Sequence, residues 1–219
     1  MIEIKNLSYA YPDGDHLRVL LKDVNVSFSE GILNVLSGRS GCGKTSLLYC
    51  LGGFETEYEG RILFDRTDIR QLDGDEFRRK KIAFIFQNFN LFGNLSVLDN
   101  IRCALAISDT KYDADLCSRT LRRLGIREDQ FSRKVSILSG GEQQRVAIAR
   151  ALLTKKDIIL ADEPTGNLDL ETSREIIKLL KALVHETGKT MIVVSHDPEV
   201  ISEADRLFTI TGKKILETR

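Results

Sequence analysis

A glycine-rich segment, GRSGCGKT at residues 38–45, follows a short apolar stretch and precedes a stretch of helical composition. Glycines let backbone N–H groups converge on phosphate oxygens, and a helix that begins after them presents its positive end to the same anion. At this spacing the Lys44 ammonium can reach the β- and γ-phosphates of a nucleotide, and the Thr45 hydroxyl can ligate Mg²⁺. The residues predicted to contact the nucleotide are Gly38, Ser40, Gly41, Cys42, Gly43, Lys44, Thr45 and Ser46.

Two adjacent carboxylates end another apolar stretch. Asp162 and Glu163 directly follow the sequence IILA at residues 158–161, which is typical of a strand buried on both faces. Open α/β sheets place ligand-handling groups at the carboxyl ends of their strands. We therefore expect Asp162 to hold Mg²⁺ through water and Glu163 to polarise the attacking water. An acidic turn in solvent is the alternative interpretation.

One of the three histidines, His196, also follows a strand of the buried type, at residues 193–195. The carboxyl ends of parallel strands share one sheet edge, so His196 should lie near Asp162 and Glu163. There an imidazole N–H could donate to a γ-phosphate. The alternative is a histidine with a purely structural role.

A second glycine pair lies in LSGGEQQR, at residues 138–145, just before an apolar helical run. Ser139, Gly140 and Gly141 thus form a second helix start suited to an anion, with Glu142 in the same turn. One bound nucleotide needs only one such cradle. Two cradles about a hundred residues apart therefore suggest that the second serves a nucleotide held by another copy of the chain.

Strands, helices and turns in a regular order must position these residues. Alternating apolar residues at positions 2–28 predict a small, partly antiparallel sheet with a turn at residues 12–15. Strands are predicted at 34–37, 61–64, 82–86, 158–161 and 190–194, and a helix at 176–184 that Gly188 can end. Between about residues 88 and 155 the pattern is helical, which predicts an inserted subdomain. Asp197 and Pro198 should begin another helix, and residues 207–216 should form a closing hairpin.

Composition limits the class of protein. The chain has 219 residues, with 32 Lys plus Arg against 32 Asp plus Glu, so no basic field favours a nucleic-acid partner. No stretch reaches the roughly 18 to 20 apolar residues of a membrane-spanning helix, and the start does not resemble a signal peptide. We therefore expect a cytoplasmic protein. Its four cysteines lack metal-site spacing and are predicted to be free thiols.

LSGGEQQR, together with the glycine-rich loop, resembles the signature of ABC-type ATPases, and the resemblance covers nearly the whole chain. It implies that Tyr11, or else Tyr9, stacks on adenine. It also implies that Gln87 touches Mg²⁺ or the attacking water. Asp169 then lies in a loop at the dimer interface, and His196 is the switch histidine.

The resemblance implies a fold class as well. We expect an α/β protein with a P-loop ATPase core that contains a parallel sheet, an N-terminal antiparallel β subdomain and an inserted helical signature subdomain. Residues 1–219 would form a single domain, with residues 1–87 and 156–219 as the nucleotide-binding core and residues 88–155 as the helical subdomain. The cofactors implied are ATP and Mg²⁺, held by Thr45, Gln87 and Asp162, with Lys44, Gln87, Glu163 and His196 serving hydrolysis.

DEPTGNLD, at residues 162–169, looks most like the subgroup that serves lipoprotein release, macrolide or peptide efflux, and cell division. The shortness of the chain, which we interpret as the absence of a C-terminal extension, is a second point of resemblance to this subgroup. One departure is Val135, where that subgroup usually has proline, and this change should alter loop stiffness rather than chemistry.

The resemblance implies a head-to-tail homodimer that drives a multi-spanning membrane subunit and keeps the chain at the inner face of the membrane. Phe84 and Phe86 are expected in the core. Phe89, Leu91 and Phe92, near Gln87, are expected to line an exposed apolar groove that receives a cytoplasmic helix of that partner. Packing between subdomains is the alternative for these aromatics. The alternatives for function are a non-transport ABC protein that engages nucleic acid or the ribosome, and a scaffold in a division-type complex.

Overall fold

The computed structural model describes residues 1–14 and 16–219, which form ten strands, seven α-helices and three short 3₁₀ helices. The strands are β1 Ile2–Asp13, β2 His16–Phe28, β3 Leu33–Gly38, β4 Glu59–Phe64, β5 Thr67–Asp68, β6 Ile82–Ile85, β7 Ile158–Asp162, β8 Thr190–Val194, β9 Arg206–Thr211 and β10 Lys214–Glu217. The helices are α1 Lys44–Leu51, α2 Gly74–Lys81, α3 Val97–Ile107, α4 Ala114–Arg123, α5 Gly140–Leu153, α6 Leu170–Thr187 and α7 Pro198–Glu203. None of these helices is both long and apolar enough to cross a membrane.

The strands form two sheets. The first has the order β2-β1-β4-β5, and β1 pairs antiparallel with both β2 and β4. The second has the order β10-β9-β3-β8-β7-β6, in which β9, β3, β8, β7 and β6 are parallel and β10 is an antiparallel edge strand. The predicted fold class, an α/β core with a parallel sheet and an N-terminal antiparallel sheet, is confirmed.

The parallel sheet is buried on both faces, as its apolar sequences predict. Along β7, Ile159 and Ala161 belong to one hydrophobic cluster, whereas Ile158 and Leu160 belong to another. The same alternation runs along β8. Side chains of a strand point to opposite faces in turn, so the two clusters are the two sides of one sheet.

Helices and the antiparallel sheet cover these two faces. The apolar side chains of α1 and of the antiparallel sheet belong to one cluster, and the apolar stripe of α6 belongs to the other. That stripe includes Ile176, Leu180 and Val184, at the spacing the sequence predicts. The helix ends where expected, at Gly188, whose φ of 67° lies in the left-handed region that glycine adopts freely.

The predicted helical segment contains α3, α4 and α5 and no strand among its described residues. Its buried side chains join the same hydrophobic cluster as one face of the parallel sheet. The division of the chain into a nucleotide-binding core and a helical subdomain stays a prediction, because this shared cluster does not separate the two.

The N-terminal hairpin differs from the sequence prediction. Pro12 and Asp13 are the last residues of β1 and pair with Leu17 and His16, so they are not part of a turn. The rest of the predicted turn includes Asp15, which lies outside the described residues. The hairpin is longer than predicted because β2 begins at His16, well before the apolar alternation that starts at Val24. Its first residues are exposed, and backbone pairing rather than burial extends them.

Two glycines allow a test of how closely the antiparallel strands approach each other. Gly60 and Gly188 both have positive φ, but a Cβ on Gly60 would lie 2.3 Å from the Asn6 carbonyl oxygen, whereas a Cβ on Gly188 would meet nothing within 4 Å. Gly188→Ala should therefore cost only the left-handed backbone penalty, about 1 kcal/mol of unfolding free energy. Gly60→Ala should cost about 3 kcal/mol or more, because the backbone must move as well. Urea unfolding measures both, and equal losses would contradict the close approach.

Candidate active site

A cleft of about 1030 Å³ opens where β3, β7 and β8 end and beside β1. Its volume is at the upper end of the range for small-molecule and cofactor sites. It brings together residues that lie far apart in the sequence: Tyr9, Tyr11, Arg18, Leu20, Gly38, Arg39, Ser40, Gly41, Gly43, Lys44, Thr45, Ser46, Gln87, Asp162, Glu163 and His196. Nearly all the predicted nucleotide contacts outside the second cradle therefore face one space.

The glycine-rich loop connects β3 to α1, in the strand-to-helix context that phosphate binding requires. Lys44, the first residue of α1, is buried, and its ammonium donates to the carbonyl oxygens of Gly38 at 2.9 Å and Arg39 at 3.2 Å. This positive charge thus lies at the loop itself, beside the positive end of the helix. The arrangement attracts an anion of phosphate size.

Thr45 and Asp162 supply two oxygen ligands at one point of the cleft. The Thr45 hydroxyl donates to Asp162 Oδ1 at 3.2 Å. Burial raises the pKa of Asp162, and the negative charge of Glu163 raises it further against the opposing hydrogen bond from Thr45. The described residues contain no group of three His, Cys, Asp or Glu side chains that could hold a metal. A hydroxyl and a carboxylate nevertheless fit Mg²⁺, which takes few protein ligands and completes its shell with water and phosphate oxygens.

Glu163 is held from two sides. Its Oε2 accepts a hydrogen bond from Ser195 Oγ at 2.9 Å, and its Oε1 lies 2.6 Å from His196 Nδ1. Ser195 is fully buried and also accepts from the Asp197 N–H, so its hydroxyl is fixed. The sequence analysis missed Ser195 as a positioning group. Its place between a buried strand and His196 was the available signal.

The Glu163 contact limits what His196 can do. If the Glu163 carboxylate accepts from Nδ1–H, a neutral ring has only a lone pair on Nε2, which cannot donate to a phosphate. The predicted N–H donation to a γ-phosphate through Nε2 therefore requires either the imidazolium form or a change of partner at Nδ1.

Two tyrosines line the cleft near the antiparallel sheet. Tyr11 is half-buried, and the Arg18 guanidinium lies 6.0 Å from the centre of its ring. The Tyr9 hydroxyl donates to Glu55 at 3.2 Å, and burial together with the Glu55 charge raises the pKa of Tyr9 to about 12. Both rings face the same space, so the geometry keeps Tyr11 and Tyr9 as candidates for stacking on adenine.

The second cradle does not line this cleft. Ser139 caps α5 and forms a capping box with Glu142: the Glu142 N–H donates to Ser139 Oγ, and the Ser139 N–H donates to Glu142 Oε2 at 2.8 Å. Asp169 caps α6 by accepting from the Thr172 N–H at 3.0 Å. Ser139, Gly140 and Asp169 are exposed, whereas the Glu142 side chain is occupied within its own chain.

Cys42 also lies outside the cleft lining. Its side chain faces a separate cavity of about 240 Å³ between the glycine-rich loop and the β9–β10 hairpin. A Cβ added to Gly38 would come within 2.8 Å of Cys42 Sγ, so the thiol packs under the loop. Only the backbone of Cys42 can serve the predicted phosphate contact.

An apolar groove of about 630 Å³ runs along α3, α5 and β6 on another surface. We use the name apolar groove for the surface lined by Phe54, Ile82, Ala83, Phe84, Phe86, Phe92, Ala104, Ile107 and Ala151 and by the charged and polar residues Asp75, Arg78, Arg79, Asn90, Asn100, Arg150, Thr154 and Lys156.

The aromatic residues around this groove are arranged differently from the prediction. Phe84 and Phe86 were expected in the core. Their rings stack at 4.2 Å and line the groove, because β6 and the residue after it lie at the edge of the sheet, although Phe84 also packs against the core. Of the predicted groove residues only Phe92 lines it. Leu91 packs on the core cluster, and the Phe89 ring lies beside Gly140, 4.0 Å from where its Cβ would be.

The fold and the cleft together define a nucleotide-binding ATPase of the phosphate-loop class, with a second anion cradle on a separate helix. A family model described as "ABC transporter" matches residues 21–166, more than half of the chain. The chain belongs to the ABC transporter ATP-binding family, and it is an ATP-binding and ATP-hydrolysing subunit that powers transport.

Known proteins support this assignment. The chain is 40% identical to the ABC transporter ATP-binding protein MJ0796 of Methanocaldococcus jannaschii over 98% of this chain and 95% of that protein. The macrolide export protein MacB of Pasteurella multocida is 37% identical over 99% of this chain. The match covers 34% of the length of MacB. The predicted subgroup is thereby confirmed. MJ0796 was solved as a dimer with ADP and Pi in a post-hydrolysis state, with a TM-score of 0.90 and 35% identity, covering 100% of this chain and 99% of that one.

The position of Cys42 predicts how its modification acts on nucleotide binding. A carboxamidomethyl group on a thiol that packs against Gly38 should crowd the glycine-rich loop, so ATP affinity should fall by about tenfold or more. ATP should in turn protect the thiol from iodoacetamide. Cys103 is the matched control, since it is also half-buried whereas Cys50 and Cys117 are buried. Labelling Cys103 in a Cys42→Ser protein should leave the ATP affinity of that protein unchanged. Unaltered affinity after stoichiometric Cys42 labelling would contradict the prediction.

Proposed function

We propose that the cleft binds ATP with Mg²⁺ and that four side chains serve its hydrolysis: Lys44, Gln87, Glu163 and His196. The observation that carries this proposal is the convergence of Glu163 with the Thr45–Asp162 pair and the loop ammonium in one cleft. Thr45, Asp162 and Gln87 would hold Mg²⁺, and a cation there would neutralise part of the phosphate charge.

Each group has a distinct task in phosphoryl transfer to water. Lys44 and the loop N–H groups hold the phosphates and stabilise the charge that spreads over the transferring group. Glu163, oriented by Ser195 and His196, orients and polarises the attacking water. Tyr11, or else Tyr9, binds the adenine by stacking.

The second cradle serves a nucleotide held by another copy. Ser139, Gly140 and Gly141 begin a helix at an exposed surface outside the cleft, so they are available to a second chain. The relative MJ0796 was solved as a dimer, which supports this arrangement. A head-to-tail dimer would place two nucleotides between the two kinds of cradle, with Asp169 near the interface, and ATP would drive its closure.

The apolar groove is the proposed docking site for a cytoplasmic helix of a multi-spanning membrane subunit, which would hold the chain at the inner face of the membrane. The charge on the groove indicates the chemistry of this helix. Arg78, Arg79, Arg150 and Lys156 line it against one acidic side chain, Asp75. Burial lowers the pKa of Lys156 to about 8, with its ammonium bonded to the Arg78 carbonyl. A helix with aliphatic or aromatic side chains and a carboxylate complements this surface.

Glu163→Gln tests the role of the carboxylate. The amide keeps the size of the side chain but loses the charge that polarises water, so turnover should fall by about 10² to 10⁴ while ATP binding survives. The variant should shift from monomer to dimer with Mg-ATP and not with ADP, because only ATP carries the γ-phosphate that the second cradle holds. Phosphate release and light scattering after size exclusion measure both effects.

Glu175→Gln, at an exposed position of α6, is the matched control and should retain both wild-type turnover and wild-type assembly. Wild-type turnover of Glu163→Gln would remove Glu163 from the mechanism. A monomer at saturating Mg-ATP would remove the two-nucleotide dimer instead.

Phe92→Asp tests the docking site. Phe92 is 55% exposed in the groove. A carboxylate there removes an apolar contact and offsets the positive charge that the groove presents to the carboxylate of the partner helix. The variant should lose the multi-spanning protein that the wild type retains from detergent extracts of source-cell membranes, identified by mass spectrometry. ATP affinity should remain. Leu216→Asp, at an equally exposed apolar side chain on β10, should keep the partner. Equal retention by both variants would place the docking site elsewhere.

A further inference from the structure

Arg150 connects the last turns of α5 to the loop that follows β6. Its guanidinium donates to the carbonyl oxygen of Phe89 at 2.9 Å and to that of Asn90. Both residues have positive φ, 58° and 49°, a backbone region that is costly for an aromatic residue. The conformation of this loop therefore depends on interactions that hold it, and Arg150 holds two consecutive carbonyls at once.

This guanidinium has no acidic partner among residues 1–14 and 16–219. Burial lowers the pKa of Arg150, and no neighbouring carboxylate offsets the effect. A charged group that loses part of its hydration in this way is stabilised by the hydrogen bonds it makes. The two loop carbonyls therefore account for its polar contacts, and their loss would affect both the loop and the side chain.

The same loop reaches the cleft through Gln87. The Gln87 side chain lines the cleft, and its backbone carbonyl accepts from Asn167 Nδ2 at 3.0 Å. The Phe89 ring lies beside Gly140, at the start of α5. Residues 89 and 90 thus lie along α5: the Phe89 ring is near Gly140 at its start, and Arg150, ten residues later, donates to both of their carbonyls.

We propose that Arg150 is a positioning residue for ATP hydrolysis, which fixes the backbone of residues 89 and 90 so that Gln87 is aimed into the cleft. Arg150 belongs to α5 and also lines the apolar groove, so one side chain connects this helix and the groove to the loop of Gln87. The inference rests on the proposed role of Gln87 in hydrolysis, and it adds the group that positions Gln87 for that role.

The physical basis is geometric. A planar guanidinium presents several N–H donors in a fixed arrangement, so it can satisfy two adjacent carbonyls together. A lysine ammonium at the same place keeps the charge but lacks this fork. Methionine keeps the apolar stem but has no N–H donor. Without those hydrogen bonds, residues 89 and 90 can adopt backbone conformations outside the left-handed region. Gln87 then samples other positions, whereas the contacts of ATP with the glycine-rich loop do not change.

The test compares steady-state ATP hydrolysis by Arg150→Met and Arg150→Lys with that of the wild-type protein. We expect kcat to fall about tenfold for Met and about threefold for Lys, with KM for ATP within about twofold of wild type. Arg219→Met is the matched control, because its guanidinium also donates to backbone carbonyls, those of Ile201 at 2.7 Å and Ala204 at 2.8 Å, outside the cleft lining. The control should keep wild-type kcat. A loss confined to KM, or an equal loss in the control, would overturn the proposal.

A double-mutant cycle with Gln87→Ala decides whether Arg150 acts through Gln87. If it does, Arg150→Met should lower kcat by less than about twofold once the Gln87 side chain is gone. A full tenfold loss in that background would show that Arg150 acts by another route and would overturn the inference. Thermal unfolding checks that each variant is folded. If Arg150→Met is not folded, the cycle is measured with Arg150→Lys instead.

The single variant Gln87→Ala separates the two levels of the proposal. If it hydrolyses ATP like the wild type, the role of Gln87 is wrong, and the inference about Arg150 fails with it. If Gln87→Ala is impaired and both Arg150 variants are not, the role of Gln87 stands and only the inference about Arg150 is wrong.

Discussion

The parallel pairing of four neighbouring strands is the constraint on which the rest of the structure depends. The strands β3, β8, β7 and β6 run in one direction, so their carboxyl ends meet at one edge of the sheet. The glycine-rich loop lies at the end of β3, Ser195 and His196 follow β8, Asp162 and Glu163 lie at the end of β7, and Gln87 lies just after β6. Strands spaced about 5 Å apart thus gather groups that lie up to 158 residues apart in the sequence.

Because both faces of this sheet are buried, polar side chains at its edge lose hydration and need hydrogen-bond partners within the protein. Carboxylates at the end of a buried strand lose hydration, and each needs a partner. Thr45 supplies one for Asp162, and Ser195 and His196 supply two for Glu163. The same hydrogen bonds that stabilise these carboxylates in place also set their direction. The hydrogen bonds that compensate the buried carboxylates are therefore the same ones that position them in the site.

Much of this arrangement could be predicted from the sequence, because it depends on local patterns. Apolar runs indicated the buried strands, the 3.6-residue period indicated α6, and motif spacing indicated the loop around Lys44. The directions of side chains were not accessible in this way. Phe84 and Phe86 line a groove because β6 is an edge strand, and Cys42 packs under its loop because Gly38 leaves room. These facts depend on strand order and on contacts between distant segments.

Residues that hold other groups in place were equally hidden. Arg150 lies in an ordinary apolar helix repeat, and nothing in its neighbours in sequence points to the carbonyls of residues 89 and 90. Ser195 was nearer to recognition, since it adjoins His196. In both cases the partner is a group that the sequence analysis had placed in the site or next to it, but the contact arises only when separate elements pack together.

The separation of Ser139 and Gly140 from the cleft has a consequence for how the rate depends on concentration. If every cleft borrows its second cradle from another copy, the isolated protein at low concentration hydrolyses ATP at a rate that rises with the square of its concentration. The dependence becomes linear once the dimer is saturated. A membrane subunit that binds two copies side by side replaces this bimolecular encounter with an effective local concentration, typically millimolar for tethered modules. The rate of ATP hydrolysis in each transport complex would then not depend on the concentration of the free subunit.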